Sequence, residues 1–192
     1  HKRFGSSVVL EKIDLTFEEG QISGIMGPNG AGKTTCFNVL TGRYAPDRGT
    51  IRFDGKDIAG LPPQRIARMG ISRSFQIMNL FDDGTVIENV MLALPEFRNA
   101  RLNVTSAVFK DQAMINEAME VLTQVGLQDL AWQPSASLPY GSRRALEIGV
   151  ALAAKPKIVF LDEPTQGLGA EATKNLADLI RRLKASYTIV LI

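Results

Sequence analysis

The chain is poor in the side chains that most often carry chemistry on their own. Its 192 residues include one cysteine, Cys36, and one histidine, His1. A single cysteine excludes an intramolecular disulfide and any multi-cysteine zinc site. The one histidine sits at the very start of the chain, a position that argues against Ser-His-Asp and Cys-His catalysis, and one histidine makes no His-rich metal site. An excess of one charge is also lacking. With 22 basic and 20 acidic residues the net charge is +2, too balanced to suggest nucleic acid as a main partner. No apolar run approaches the roughly 18 residues of a membrane-crossing helix, and no signal-peptide hydrophobic stretch opens the chain. The location expected from this is cytoplasmic, with any membrane role exerted through a partner. Repeats and low-complexity segments are missing too. The remainder is ordinary globular composition, 45% hydrophobic and 22% charged. The length suits one large domain, which buries roughly 70% of its unfolded surface without disulfide or metal.

The pattern of elements is α/β. Val8-Val9-Leu10 is a short apolar stretch, and Ile13, Leu15 and Phe17 alternate with polar residues at the period of a half-buried strand. Residues 21–26 read as a strand leading into a Gly-rich loop, and 33–41 as a helix. Asp54-Gly55 marks a hairpin turn. Pro62-Pro63 opens a helix over 63–69 that Gly70 closes, and 71–75 reads as a further strand. Apolar residues at Met114, Ala118, Val121, Leu122 and Val125 predict an amphipathic helix over 111–125, stopped by Gly126. Helices are also expected over 142–154 and 171–184. Between them Ile158-Val159-Phe160-Leu161 is a continuous apolar run, which suits a strand covered on both faces. A β-rich run from Thr188 reaches Ile192, where a following helix is missing, so the sequence reads as a fragment. Strands alternating with helices predict a mostly parallel sheet, with the helical middle inserted between its halves.

Two motifs carry the chemistry. Gly27-Pro28-Asn29-Gly30-Ala31-Gly32-Lys33-Thr34 fits G-x-x-x-x-G-K-[ST] between a strand and a helix. Glycines there let successive N–H groups point at phosphate oxygens, and the helix start adds its positive dipole end. In that arrangement Lys33 reaches the β- and γ-phosphates, Thr34 ligates Mg²⁺, and Thr35 donates to the α-phosphate. The second motif is Asp162-Glu163 at the end of the apolar strand, where ligands bind in open α/β sheets. Asp162 suits the Mg²⁺ site, and Glu163 suits a base that polarises the attacking water. No N-K-x-D guanine-reading motif occurs in the chain.

Taken together, these motifs resemble the ATPase subunit of an ATP-binding-cassette (ABC) transporter over essentially the whole chain. Residues 27–35 resemble its Walker A motif and 158–163 its Walker B. Gln76, ending Ser72-Arg73-Ser74-Phe75-Gln76, resembles the glutamine that senses Mg²⁺ and the attacking water and couples to the membrane subunit. Leu138-Pro139-Tyr140-Gly141-Ser142-Arg143-Arg144 falls where the L-S-G-G-Q signature belongs, 62 residues after Gln76. Phe4 lies 29 residues before Lys33, at the place of the ring that stacks on adenine. Within the family, 27–35, 70–76, 79–81 and 88–90 are similar to importers of branched-chain amino acids. The resemblance implies a P-loop NTPase fold with an antiparallel β part and an inserted helical subdomain. It implies core segments over 1–76 and 153–192 around a helical subdomain over 77–152. It also implies ATP and Mg²⁺ as cofactors and a second cassette, identical or different, as partner. Permease subunits would hold the chain on the inner face of the cell membrane.

The chain departs from the family in three places. Pro139 stands where the signature serine contacts the opposite subunit's γ-phosphate, and Ser142 replaces the final glutamine. Gly169 stands where the family has an aspartate in the D-loop. The switch histidine would follow Ile192. These departures touch the signature half-site and leave the Walker half-site whole. They keep open a catalytically weak nucleotide-binding module beside the transporter ATPase. A non-transport cassette ATPase, such as a repair or translation factor, is the runner-up reading ahead of that module, although the chain has neither the coiled coil nor the tandem cassette usual there. Among lesser candidates, Cys36 reads as a small buried hydrophobe, Trp132 as packing, and Arg143-Arg144 as a solvated helix start.

Overall fold

The computed structural model describes residues 1–74, 80–99, 109 and 111–192. Its centre is a four-stranded sheet in the order β3 (Ile22–Gly24), β8 (Thr188–Leu191), β7 (Ile158–Leu161), β6 (Ile71–Arg73), with every pair parallel. The continuous apolar run of β7 is buried throughout, as expected for a strand covered on both faces. Its residues alternate between two cores, as the period of two requires. Ile158 and Phe160 join Val190 against α1 (Lys33–Leu40) and α2 (Pro63–Arg68), through Phe37 and Ile66. Val159, Leu161 and Ile189 face the opposite way, into the larger core.

That larger core is built by α3 (Val86–Met91), α5 (Gln112–Val125), α6 (Tyr140–Ala153) and α7 (Ala170–Leu183), with α4 (Pro95–Asn99) beside them. The predicted helix at 111–125 forms with Asp111 as its N-cap, accepting from the N–H groups of Ala113 and Met114. Gly126 closes it in the left-handed conformation that glycine adopts without steric cost. Among the described residues two antiparallel hairpins lie beside these layers. β1 (Lys2–Phe4) pairs with β2 (Ser7–Leu10). β4 (Arg52–Phe53) pairs with β5 (Lys56–Asp57) through Asp54 and Gly55, both at positive φ, as a two-residue hairpin turn demands.

Three sequence expectations require correction. Residues 13–17 form no strand: Ile13 is 51% and Leu15 46% exposed, and only Phe17 turns inward, edge-on to Phe160. Alternation provides two faces, but a strand also needs a neighbour for its backbone groups, and among the described residues none pairs with this segment. Trp132 is 64% exposed and is not a packing residue. Arg144 is no solvated helix start. It is buried on α6 and bonded to buried Glu147 at 2.7 Å. Its neighbour Arg143 bonds Asp82 at 2.6 Å and the Ser135 carbonyl at 3.2 Å.

Candidate functional site

β3 delivers the chain to the Gly-rich loop at the C-terminal edge of the sheet. Gly30 and Gly32 both sit at positive φ, 82° and 86°, and α1 begins at Lys33. The Gly32 N-cap has no side chain to satisfy the first N–H groups of the helix, which leaves these donors for an anion, reinforced by the dipole. Gly32 is also required by space: a Cβ there would lie 3.0 Å from both the Val9 carbonyl oxygen and Leu10 Cδ2. The Lys33 ammonium donates to the carbonyls of Gly27 (2.8 Å) and Pro28 (3.0 Å), so it is folded back over its own loop. Residues 27–31 and Thr34 are exposed, while Thr35 is half-buried. A cavity of about 760 Å³ lies elsewhere, between the hairpins and α1, and none of residues 27–35 lines it.

The carboxylates follow β7. Gly24 and Leu161 both register with Leu191 of β8, the strand between them. The loop and Asp162 therefore leave the same sheet edge two strands apart, roughly 10 Å. Asp162 is 0% exposed. Its Oδ2 accepts from Arg73 at 2.5 Å, and the other guanidinium nitrogen donates to Asn38 Oδ1 of α1 at 2.5 Å. Asp162 Oδ1 is buried without a hydrogen-bond partner. An orphaned carboxylate oxygen is costly in that position, and it is the kind of hard oxygen donor that Mg²⁺ takes. The residues thus fit a divalent cation. Among the described residues no group of three or more His, Cys, Asp or Glu side chains gathers there. A cation would therefore complete its shell with the Thr34 hydroxyl, nucleotide oxygens and water.

Glu163 is half-buried in the left-handed region, at φ 43°, uncommon for a residue with a side chain. Its N–H donates to the Ile192 carbonyl at 2.9 Å and its carbonyl accepts from Gln166 at 3.0 Å, which pins the turn. Gln76 lies outside the described residues.

Phe4 ends β1, with its ring edge-on to Tyr44 at 5.2 Å between centroids. The strand is tied to the segment beyond α1 by Asp47, which accepts from the Arg3 N–H at 2.6 Å and from Lys2 at 3.2 Å. Those donors, the backbone N–H first, hold the Asp47 carboxyl below the usual carboxylate range. Tyr44 and Arg73 were not singled out in the sequence. An aromatic just past the phosphate-loop helix was the available signal for Tyr44. For Arg73 it was a cation in a strand that should be half-buried.

In the signature region, Pro139 is the N-cap of α6 and provides no side-chain cap. Tyr140 reaches across to the segment after Glu163, its hydroxyl 3.4 Å from the Gln166 carbonyl. Gly169 is the N-cap of α7, likewise without a side-chain bond.

The sequence profile of the family described as ABC transporter matches residues 10–166. The branched-chain amino acid transport ATP-binding protein BraF of Pseudomonas aeruginosa is 40% identical over 99% of this chain and 76% of its own length. LivG of Escherichia coli, with the same description, is 38% identical over 99% and 77%. Among solved structures, the ADP conformation of the ATP-binding cassette MJ1267 superimposes with a TM-score of 0.86 at 30% identity, over 100% of this chain and 76% of that one. A dimeric post-hydrolysis cassette, MJ0796 bound to ADP and Pi, gives 0.77 at 25% identity, over 99% and 82%. With a glycine loop, a buried strand-end aspartate and this likeness along nearly its full length, the chain belongs to the ATP-binding, ATP-hydrolysing subunits of ABC transporters.

Proposed function

We propose that this subunit powers an importer of branched-chain amino acids by Mg²⁺-dependent ATP hydrolysis. The observation that carries the reading is the placement of the phosphate loop and Asp162-Glu163 at one sheet edge. The substrate class rests on the similarity to BraF and LivG, whose names give that cargo. In this reading the backbone N–H groups of residues 29–35 cradle the phosphates. Lys33 leaves the carbonyls of Gly27 and Pro28 for the β- and γ-phosphates. Thr34 and Asp162, with Gln76 as a further ligand, would hold Mg²⁺, which when bound would neutralise charge on the phosphates. Glu163 accepts a proton from the water that attacks the γ-phosphate in line. Phe4, backed by Tyr44, stacks on adenine.

A second cassette would face this one and complete the site with its signature. Permease subunits would hold the pair on the inner side of the membrane, since no described helix is long and apolar enough to cross it. Nucleic acid has no part in this reading. Pro139 and Gly169 raise a catalytically weak module as the second reading, which the likeness to ATP-hydrolysing subunits along nearly the whole chain does not favour.

The test is calorimetric titration with ATP–Mg²⁺ together with turnover measurements. Lys33→Ala loses a charge-assisted contact of about 1.5–3 kcal/mol, so affinity should fall roughly 10- to 150-fold. Glu163→Gln should bind like the parent and hydrolyse much more slowly. Unchanged affinity in the first variant refutes the loop assignment. Parent-like turnover in the second places the base elsewhere. A parent that binds ATP but does not turn over inside its transporter supports the weak module.

A further inference from the structure

We propose that Arg73 is the positioning residue for Asp162, holding its carboxylate so that Oδ1 alone is offered to the divalent cation. The inference rests on the reading of Asp162 as a cation ligand. Arg73 lies on β6, Asn38 on α1 and Asp162 just after β7, so three elements meet at one guanidinium. One nitrogen donates to Asp162 Oδ2 and another to Asn38 Oδ1, each at 2.5 Å. The Phe37 ring lies 5.8 Å from the guanidinium carbon. With both ends bonded and a ring beside it, the planar group has little freedom. It occupies one carboxylate oxygen and leaves the other, Oδ1, buried and without a partner. It also ties the helix that follows the phosphate loop to the segment after β7 that carries the acid. A planar fork reaches two acceptors in fixed directions, which an ammonium does not. Lysine at 73 would therefore serve Asp162 or Asn38, but not both with the same geometry.

The test uses the full chain with a non-hydrolysable ATP analogue and Mn²⁺ as the probe. Mn²⁺ binding is followed by electron paramagnetic resonance, and melting temperatures are recorded alongside. Arg73→Gln should weaken Mn²⁺ binding about tenfold or more, the scale on which partners of metal ligands act. Metal-free affinity for the analogue should change by less than about twofold, because the side chains Arg73 bonds, Asn38, Thr41 and Asp162, all lie outside residues 27–35. Arg73→Lys should give an intermediate loss. Parent-like Mn²⁺ binding in a normally melting Arg73→Gln overturns the proposal. Should that variant unfold, Arg73→Lys and Asn38→Ala decide, and parent-like binding in both overturns it. Asp162→Asn separates this idea from the one beneath it. If it also binds Mn²⁺ like the parent, Asp162 is no cation ligand and the site reading falls. If it alone weakens binding, only the role of Arg73 is refuted.

Discussion

Gly32 shows how much of the site depends on a missing side chain. Its φ of 86° is open to glycine at no cost, and the Val9 carbonyl and Leu10 side chain fill the space a Cβ would need. Gly32→Ala should therefore destabilise the protein by about 1–3 kcal/mol, the range for a side chain forced into such a conformation. Urea unfolding of parent and variant measures this, and an unchanged midpoint would show that the loop relaxes freely. The glycine pattern was legible in the sequence because the motif is local and strand and helix flank it. Arg73 was not. Its partners Asn38 and Asp162 stand 35 and 89 residues away, and local periodicity says nothing about which distant acceptor meets a cation. Tyr44 escaped for the same reason, since its pairing with Phe4 arises only when the first hairpin folds against the end of α1.

At the level of elements, the strong patterns translated directly: the apolar run of β7, the Asp54-Gly55 hairpin and the amphipathic α5 all form. α3 was overlooked because it is short and buried on nearly every side, so it shows no polar face. Its signal was the capping box, in which the Glu88 N–H donates to Thr85 Oγ1 and the Thr85 N–H to Glu88 Oε2. The start of α6 raises a sharper question. Pro139 caps that helix with backbone alone, so Pro139→Ser would change two things. A serine oxygen at the N-cap contributes about 0.5–2 kcal/mol, whereas losing proline's restriction of the unfolded chain costs about 0.4–1 kcal/mol. These nearly cancel, so stability should move by less than about 1.5 kcal/mol. The same hydroxyl can still donate its proton across a cassette pair. One preorganised donor is worth up to about 10²–10³ in rate, so turnover of the transporter should rise by a measurable part of that. Steady-state ATPase assays and thermal melts, run in parallel, separate the two effects. Equal turnover in parent and variant would mean that position 139 does not limit the reaction.

In the whole molecule, one apolar cluster runs from the helical part through α6 to the sheet, taking in Leu122, Leu146, Val159 and Ile189. Buried within α6 is the Arg144–Glu147 pair, which the sequence disguised as the solvated start of a helix. Burial pushes the Glu147 carboxyl up, and the hydrogen bond from Arg144 only partly opposes it. The folded protein therefore binds this proton more tightly than the unfolded chain. Linkage then fixes the sign: the stabilising contribution is fully present below the unfolded glutamate value and is lost as pH rises through the elevated folded value. Glu147→Gln keeps the shape and removes the titration. The difference in unfolding free energy, parent minus variant, should thus be largest at acid pH and decline toward neutrality. Urea unfolding of both proteins from about pH 4, near the unfolded glutamate value, up to neutrality provides the measurement. A difference that grows with pH would mean that attraction to Arg144 outweighs burial.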